Sequence, residues 1–179
     1  MAKIQVPFDC YFRQFMASLQ GGGALLVSPD KDGKPNAMTI GWATMGIIWG
    51  KPICVALVRP SRYTYGCIEA TGDFTVCVPY PDMAEAVMFC GTESGRNYDK
   101  FAECQFTALP SAKVKSPGIA ECGLVFECTV VHRNDVIPPE LAPSISATCY
   151  PTGDFHRMYH GEIVNVVADE DFEPRFAMI

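Results

Sequence analysis

Residues 122–132 read CGLVFECTVVH, and the order of these side chains decides the fold. Leu124, Phe126, Cys128 and Val130 fall on one side of an extended chain, with Glu127 and Thr129 on the other. A period of two marks a β-strand that turns one face to a core. Working outward, the pattern recurs. DFTVCVP (73–79) places Phe74, Val76 and Val78 on one face. ALLVS (24–28), NAMTIGWATMG (36–46) and ICVALV (53–58) read as three more strands, and SPDKDGKP supplies turn chemistry after the first. HRMYHGEIVNVVA (156–168) is the last strong strand. Two segments break the pattern. Residues 62–71 (RYTYGCIEAT) predict a helix with Ser61 as N-cap and Gly72 as its stop. Residues 82–90 (DMAEAVMFC) predict a second helix, capped by Asp82. Alternating strands with two or three short helices predict a mainly β protein, a closed or nearly closed antiparallel barrel.

Composition narrows the function. The 179 residues (19.6 kDa) suit a single domain spanning 1–179. Apolar residues make up 49% and charged residues 19%, so a sizeable core forms and global disorder is excluded. Scarce charge also fits burial against a second subunit. A net charge of −6 argues against duplex nucleic acid as a partner. The segment MAKIQVPFDC lacks the apolar run of a secretory signal. Residues 45–58 are too short to span a bilayer and are broken by Lys51-Pro52, so the expectation is a cytoplasmic protein without membrane contact. The nine cysteines lie at least six positions apart, which excludes CxxC zinc and iron–sulfur spacings. Several, such as Cys54 and Cys77, sit inside apolar runs, and the cysteines as a set read as reduced, buried thiols rather than the redox centre. His156 and His160 share a strand face without a third ligand nearby, so no metal is expected. GxSxG, HExxH, GxGxxG and P-loop spacings are all missing, which leaves a hydrolase without a nucleophile.

Charge is unevenly placed. From Gly33 to Ile68, 36 residues carry four basic groups (Lys34, Lys51, Arg59, Arg62) and no acid. A segment kept free of negative charge suits an anionic ligand. Within it, Arg59-Pro60-Ser61-Arg62-Tyr63-Thr64 stands at a strand-to-helix junction. A helix start offers unpaired N–H groups and a partial positive charge, and two guanidiniums and three hydroxyls add phosphate donors. This is the best candidate for a phosphate site in the chain. Gly91-Thr92-Glu93-Ser94-Gly95-Arg96, followed by Asp99-Lys100-Phe101, is a weaker second cluster of backbone and cationic donors. Trp42 and Trp49 both fall in the acid-free stretch, where an aromatic face can stack on a planar ring.

The order NAMTIGW (36–42), RPSRYTYG (59–66), GDFTVCVP (72–79), SGRNYDKF (94–101), GLVFECTVV (123–131) and HRMYHGEIV (156–164) resembles the flavin reductase-like family, in particular its flavoredoxin branch. The resemblance covers roughly residues 20–168. It implies an FMN-binding split β-barrel, a homodimer, and FMN bound near the dimer interface. It also implies that Asn36, Met38, Thr39 and Trp42 meet the isoalloxazine ring, and that Arg59, Ser61, Arg62 and Thr64 hold the phosphate and ribityl chain. Ser94, Gly95, Arg96 and Lys100 match a segment whose lysine reaches the cofactor, and His156 matches a histidine near the flavin. Two departures stand out. Asp154-Phe155 replaces the family's usual Gly-Ser, and the sequence stops at Ile179 without the longer tail that often packs near the flavin. The implied function is an FMN-dependent oxidoreductase using NAD(P)H. The alternative is a flavoredoxin-type electron carrier that holds FMN permanently and is reduced by a redox protein. A third class, a ligand- or haem-sensing split barrel, involves no redox turnover. His156 is the one weak candidate for a catalytic role.

Overall fold

The structure is a computed structural model that describes residues 2–177. In chain order the strands and α-helices are β1 (Lys3–Gln5), α1 (Phe12–Gln20), β2 (Ala24–Pro29), β3 (Pro35–Ile40), β4 (Ala43–Ile48), β5 (Lys51–Val58), α2 (Tyr63–Thr71), β6 (Asp73–Val78), α3 (Ala84–Thr92), α4 (Lys100–Glu103), β7 (Ala108–Leu109), β8 (Gly118–Ile119), β9 (Leu124–Asp135), α5 (Pro143–Cys149), β10 (Arg157–Asp169) and α6 (Phe172–Ala177). Single 3-10 turns occupy Pro81–Met83 and Pro138–Glu140. No helix among the described residues is long and apolar enough to cross a membrane.

Eight strands form one antiparallel sheet in the order β3-β2-β6-β9-β10-β5-β4, with β1 added to β10. The alternation of the strands builds two cores. Leu26, Phe74, Val76, Val78, Leu124, Phe126 and Cys128 enter one cluster, which Phe15 of α1 and Phe172 of α6 close. Leu25, Val27, Cys77 and Val125 point the other way and pack on Val87 and Cys90 of α3 and Phe101 of α4. Coverage on both faces is why β2 and β6 are buried along their whole length. Glu127, on the second face of β9, is buried as well. Its carboxylate accepts from the amides of Ala112 and Lys113 and from Asn165.

Several sequence expectations need correction. The single strand over 36–46 is two, β3 and β4, broken at Gly41-Trp42. These two strands stand at opposite ends of the sheet order, so the two residues between them carry the chain from one edge to the other. Edges joined by so short a link must approach each other, and the sheet curls into a split barrel. The helix over 62–71 starts at Tyr63 and has Arg62, not Ser61, at its N-cap, with no side-chain cap bond. Its stop is as read: Gly72 takes the left-handed conformation (φ 73°), and its N–H donates to the Ile68 carbonyl. Asp82 lies in a 3-10 turn, and α3 follows it without a side-chain cap. Short helices number six among the described residues, against the two or three expected.

Candidate functional site

The seam where the sheet edges meet is also where the acid-free stretch folds back on itself. β3 brings Asn36, Met38 and Thr39 to one side, and the link adds Trp42. β5 ends at Val58 and passes through Arg59-Pro60-Ser61 into α2. The segment after α3 supplies Ser94, Gly95 and Arg96, and His156 precedes β10. Two adjoining cavities result. One of about 200 Å³ is lined by Arg62, Arg96 and Lys100, by Ser61, Thr64 and Ser94, and by Glu93 as its one acid. The other, of about 210 Å³, is lined by Trp42, Ile40, Leu57, Arg59 and His156. Met38, Thr39 and Arg62 line both.

The first cavity is cationic at its floor and at its mouth. Lys100 is only 4% exposed and donates to the Cys90 carbonyl at 2.7 Å. Burial lowers its pKa, and the Arg62 charge pushes the same way. Arg96 donates to the Ser61 carbonyl at 3.0 Å and lies over the Tyr63 ring. Arg62 is exposed and makes no side-chain hydrogen bond or ion pair among the described residues. α2 begins at Tyr63, and Ser61, Arg62, Tyr63 and Thr64 all line this cavity, so the N-terminal end of the helix, with its free amides and positive dipole end, lies at its wall. Gly95 is required here. A Cβ at that position would sit 2.1 Å from Asn36 Oδ1 and 2.7 Å from Tyr63 Cδ1.

The second cavity is aromatic. Trp42 and His156 lie 4.9 Å apart, centroid to centroid, and Tyr150 Oη is 2.7 Å from His156 Nδ1. Burial first, then the Arg59 charge, pushes the His156 pKa down to about 4, so the ring is neutral near pH 7. Arg59 donates to the carbonyls of Cys149, Gly153 and Asp154 and lies over Tyr150, which fastens the 149–154 segment beside the cavity.

Of the thirteen residues singled out in the sequence, twelve line one or both cavities. Asn36 lines neither. It is buried behind the wall, where its Nδ2 donates to Thr64 Oγ1 at 2.8 Å. Ser61 donates from both N–H and Oγ–H to the Asp154 carboxylate. Asp154 thereby acquires a use in this chain, at a φ of 57°. Phe155 does not face the cavities; it stacks on Tyr150, with ring centroids 4.7 Å apart. Sequence reasoning missed Tyr150 and Leu57, and it named Glu93 and Asp154 without giving either a role at the site. Tyr150 stands in Cys149-Tyr150-Pro151, where only turn chemistry is visible. Leu57 belongs to a strand that is apolar on both faces, so periodicity cannot say which side meets a ligand.

A cationic pocket opening onto an aromatic one, at the seam of a split barrel, suits a ligand with a phosphate at one end and a planar ring at the other. The comparisons with known proteins agree with this architecture. A flavoredoxin of Desulfovibrio vulgaris (Miyazaki F) superposes with a TM-score of 0.68 at 26% identity, over 83% of this chain and 69% of that one. A flavoredoxin of Methanosarcina acetivorans gives 0.66 at 29% identity, over 83% and 68%. An uncharacterized protein of Archaeoglobus fulgidus is 31% identical over 140 residues, 78% of this chain and 69% of its own. The model of the flavin reductase like domain matches residues 16–178, nearly the whole length, and on that match the chain belongs to the flavin reductase-like family.

Proposed function

We propose that the protein binds FMN across the two cavities and works, as a homodimer, as an oxidoreductase that takes its electrons from NAD(P)H. The observation that carries this reading is Arg62. It is unpaired among the described residues and stands on the wall shared by a cationic and an aromatic cavity, inside a stretch without acids. The cavities fit the group end by end. Arg62, Arg96 and the α2 amides would hold the phosphate, with Lys100 beneath. Met38, Thr39 and Trp42 would orient the ring. Bound flavin supplies the hydride and single-electron chemistry, which the protein side chains lack. With the imidazole neutral, Tyr150 donating to Nδ1 would leave the His156 proton on Nε2, where it can serve as a hydrogen-bond donor.

The test is a titration of FMN into the purified protein, followed by flavin absorbance and fluorescence quenching, then addition of NADH or NADPH to the loaded protein. The expected result is saturable quenching and bleaching of the flavin band. No quenching at high micromolar FMN would overturn the reading. The likeness to two flavoredoxins favours a second reading, an electron carrier with permanently held FMN. That reading expects bound flavin which neither nicotinamide reduces at a useful rate and which a reduced redox protein bleaches.

A further inference from the structure

Two thiols that the flavin reading leaves unused lie against each other where α3 ends and α4 closes. Cys90 Sγ is 4.0 Å from Cys104 Sγ in an S–H···S contact, and neither is in a disulfide. The two environments differ. Cys90, near the C-terminal end of α3, is buried. Cys104 caps the end of α4 and is half-buried, and it lines a separate open cavity of about 400 Å³ together with Asp82, Glu85, Phe89 and Glu103. Closing a disulfide of about 2.05 Å needs each sulfur to move by roughly 1 Å.

We propose that Cys90 and Cys104 form a thiol–disulfide exchange site, in which Cys104 meets an external disulfide and Cys90 resolves the adduct. The division of roles follows from access and from the thiols themselves. Burial drives the Cys90 thiol up to about 12. Burial also raises Cys104, but the Cys90 hydrogen bond and the Lys100 charge both oppose that rise. Cys104 loses its proton to water, its thiolate attacks one sulfur of R–S–S–R, the S–S bond breaks, and one R–S⁻ leaves and takes up a proton, as the second does later. Cys90 then loses its proton to water and attacks Cys104 Sγ, which expels the second R–S⁻. Two protein thiols are oxidised to one disulfide, and one small disulfide is reduced to two thiols. The carboxylates of Asp82, Glu85 and Glu103 on the cavity wall select a neutral or cationic disulfide over an anionic one. The bridge would tie α3 to α4 beside the Cys90 carbonyl that holds Lys100. The exchange itself needs no flavin, although Cys90 also lines the cationic cavity.

The test treats the folded protein, with and without FMN, with excess cystamine, then quenches in acid and alkylates. The expected product yields a linked peptide containing Cys90 and Cys104 with no cystamine half on either, while exposed Cys10 takes up a cystamine half and shows that the reagent is active. Neither Cys90 nor Cys104 alkylates until a reductant is added, whereas both do in unfolded protein that has not met cystamine. Cys90→Ser is expected to stop at a mixed disulfide on Cys104, and Cys104→Ser to leave Cys90 reduced. Oxidised glutathione, which is anionic, is expected to react severalfold more slowly than cystamine. A bridge between any other pair would overturn the proposal. So would free thiols at Cys90 and Cys104 under conditions that oxidise the unfolded chain. Glutathione reacting as fast as cystamine would overturn the selectivity. The peptide map of the wild-type protein decides the pairing even where a variant fails to fold.

Discussion

Arg59 and Arg62 are equivalent in the sequence, three positions apart in one hexapeptide, yet they do different work. Arg59 spends its donors on carbonyls some 90 positions away, whereas Arg62 has no partner among the described residues. No local pattern could separate them, because the acceptors of Arg59 come from the 149–154 segment. The difference sets a prediction. A charged hydrogen bond contributes about 1.5–3 kcal/mol. Arg62→Ala should therefore weaken FMN by roughly 10- to 150-fold. Riboflavin, which has the same ring and no phosphate, should bind nearly as before. Titrating both ligands into wild type and variant checks this, and equal losses would withdraw the phosphate assignment. Arg59→Ala should act differently, loosening the 149–154 segment and weakening both ligands together. His156 gives a second residue-scale prediction. Its folded pKa, about 4, lies below the unfolded value of 6.5. Below pH 6.5 the unfolded chain takes up a proton that the folded one does not, so stability falls as the pH drops from 6.5 toward 4. His156→Gln lacks this component and should lose less melting temperature over that interval. An imidazole resonance of His156 titrating near 6.5 would contradict the burial argument. Proximity to Trp42 was legible through the family resemblance; neutrality was not, since burial and the Arg59 charge are properties of the folded seam.

At the scale of elements, β10 carries an irregularity that the alternation pattern does not reveal. Its register on β9 shifts between His160 and Gly161, and Gly161 stands opposite Cys54 of β5. A Cβ there would come within 2.6 Å of Phe74 Cζ and 2.8 Å of Cys128 Cβ. Gly161→Ala should overpack the core at a cost of about 1–3 kcal/mol. The expected signature is a lower urea midpoint with an unchanged slope. An unchanged midpoint would mean that β10 can shift to make room. The strands that carry strict alternation were legible in the sequence because period two survives burial of one face. The break at Gly41-Trp42 was not, since residues 37–48 carry no Pro, Asn or charged residue to mark a turn. α1 escaped notice although Phe12, Phe15, Met16 and Leu19 recur at helical spacing, a signal that was present. Both assumed caps, Ser61 and Asp82, have the right residue type, but neither caps its helix.

The molecule as a whole leaves an edge strand uncovered. β4 ends the sheet, and Ile47 (61% exposed) and Trp49 (62%) project from it and its turn, with Trp42 exposed at its start. An exposed edge with apolar side chains is a place for a second copy to pair. The proposed homodimer therefore predicts a light-scattering mass near twice 19.6 kDa, lowered toward the single-chain value by Ile47→Lys. A wild-type mass of 19.6 kDa would refute it. The barrel itself was readable from turns and alternation; its closure was not, because closure depends on two chain-adjacent strands taking opposite ends of the order. That order has a consequence for synthesis. Among the described residues, the β3-β2-β6-β9 group and the β5-β4 pair are joined in the sheet only through β10, and β1 is held by β10 as well. β10 is the last strand in chain order. A nascent chain that has emerged only as far as β9 holds two sheet fragments with bare facing edges, β9 on one and β5 on the other. Such edges recruit neighbouring chains. Ribosome stalling or premature termination just before β10 should thus yield insoluble, chaperone-dependent product rather than a partly working barrel.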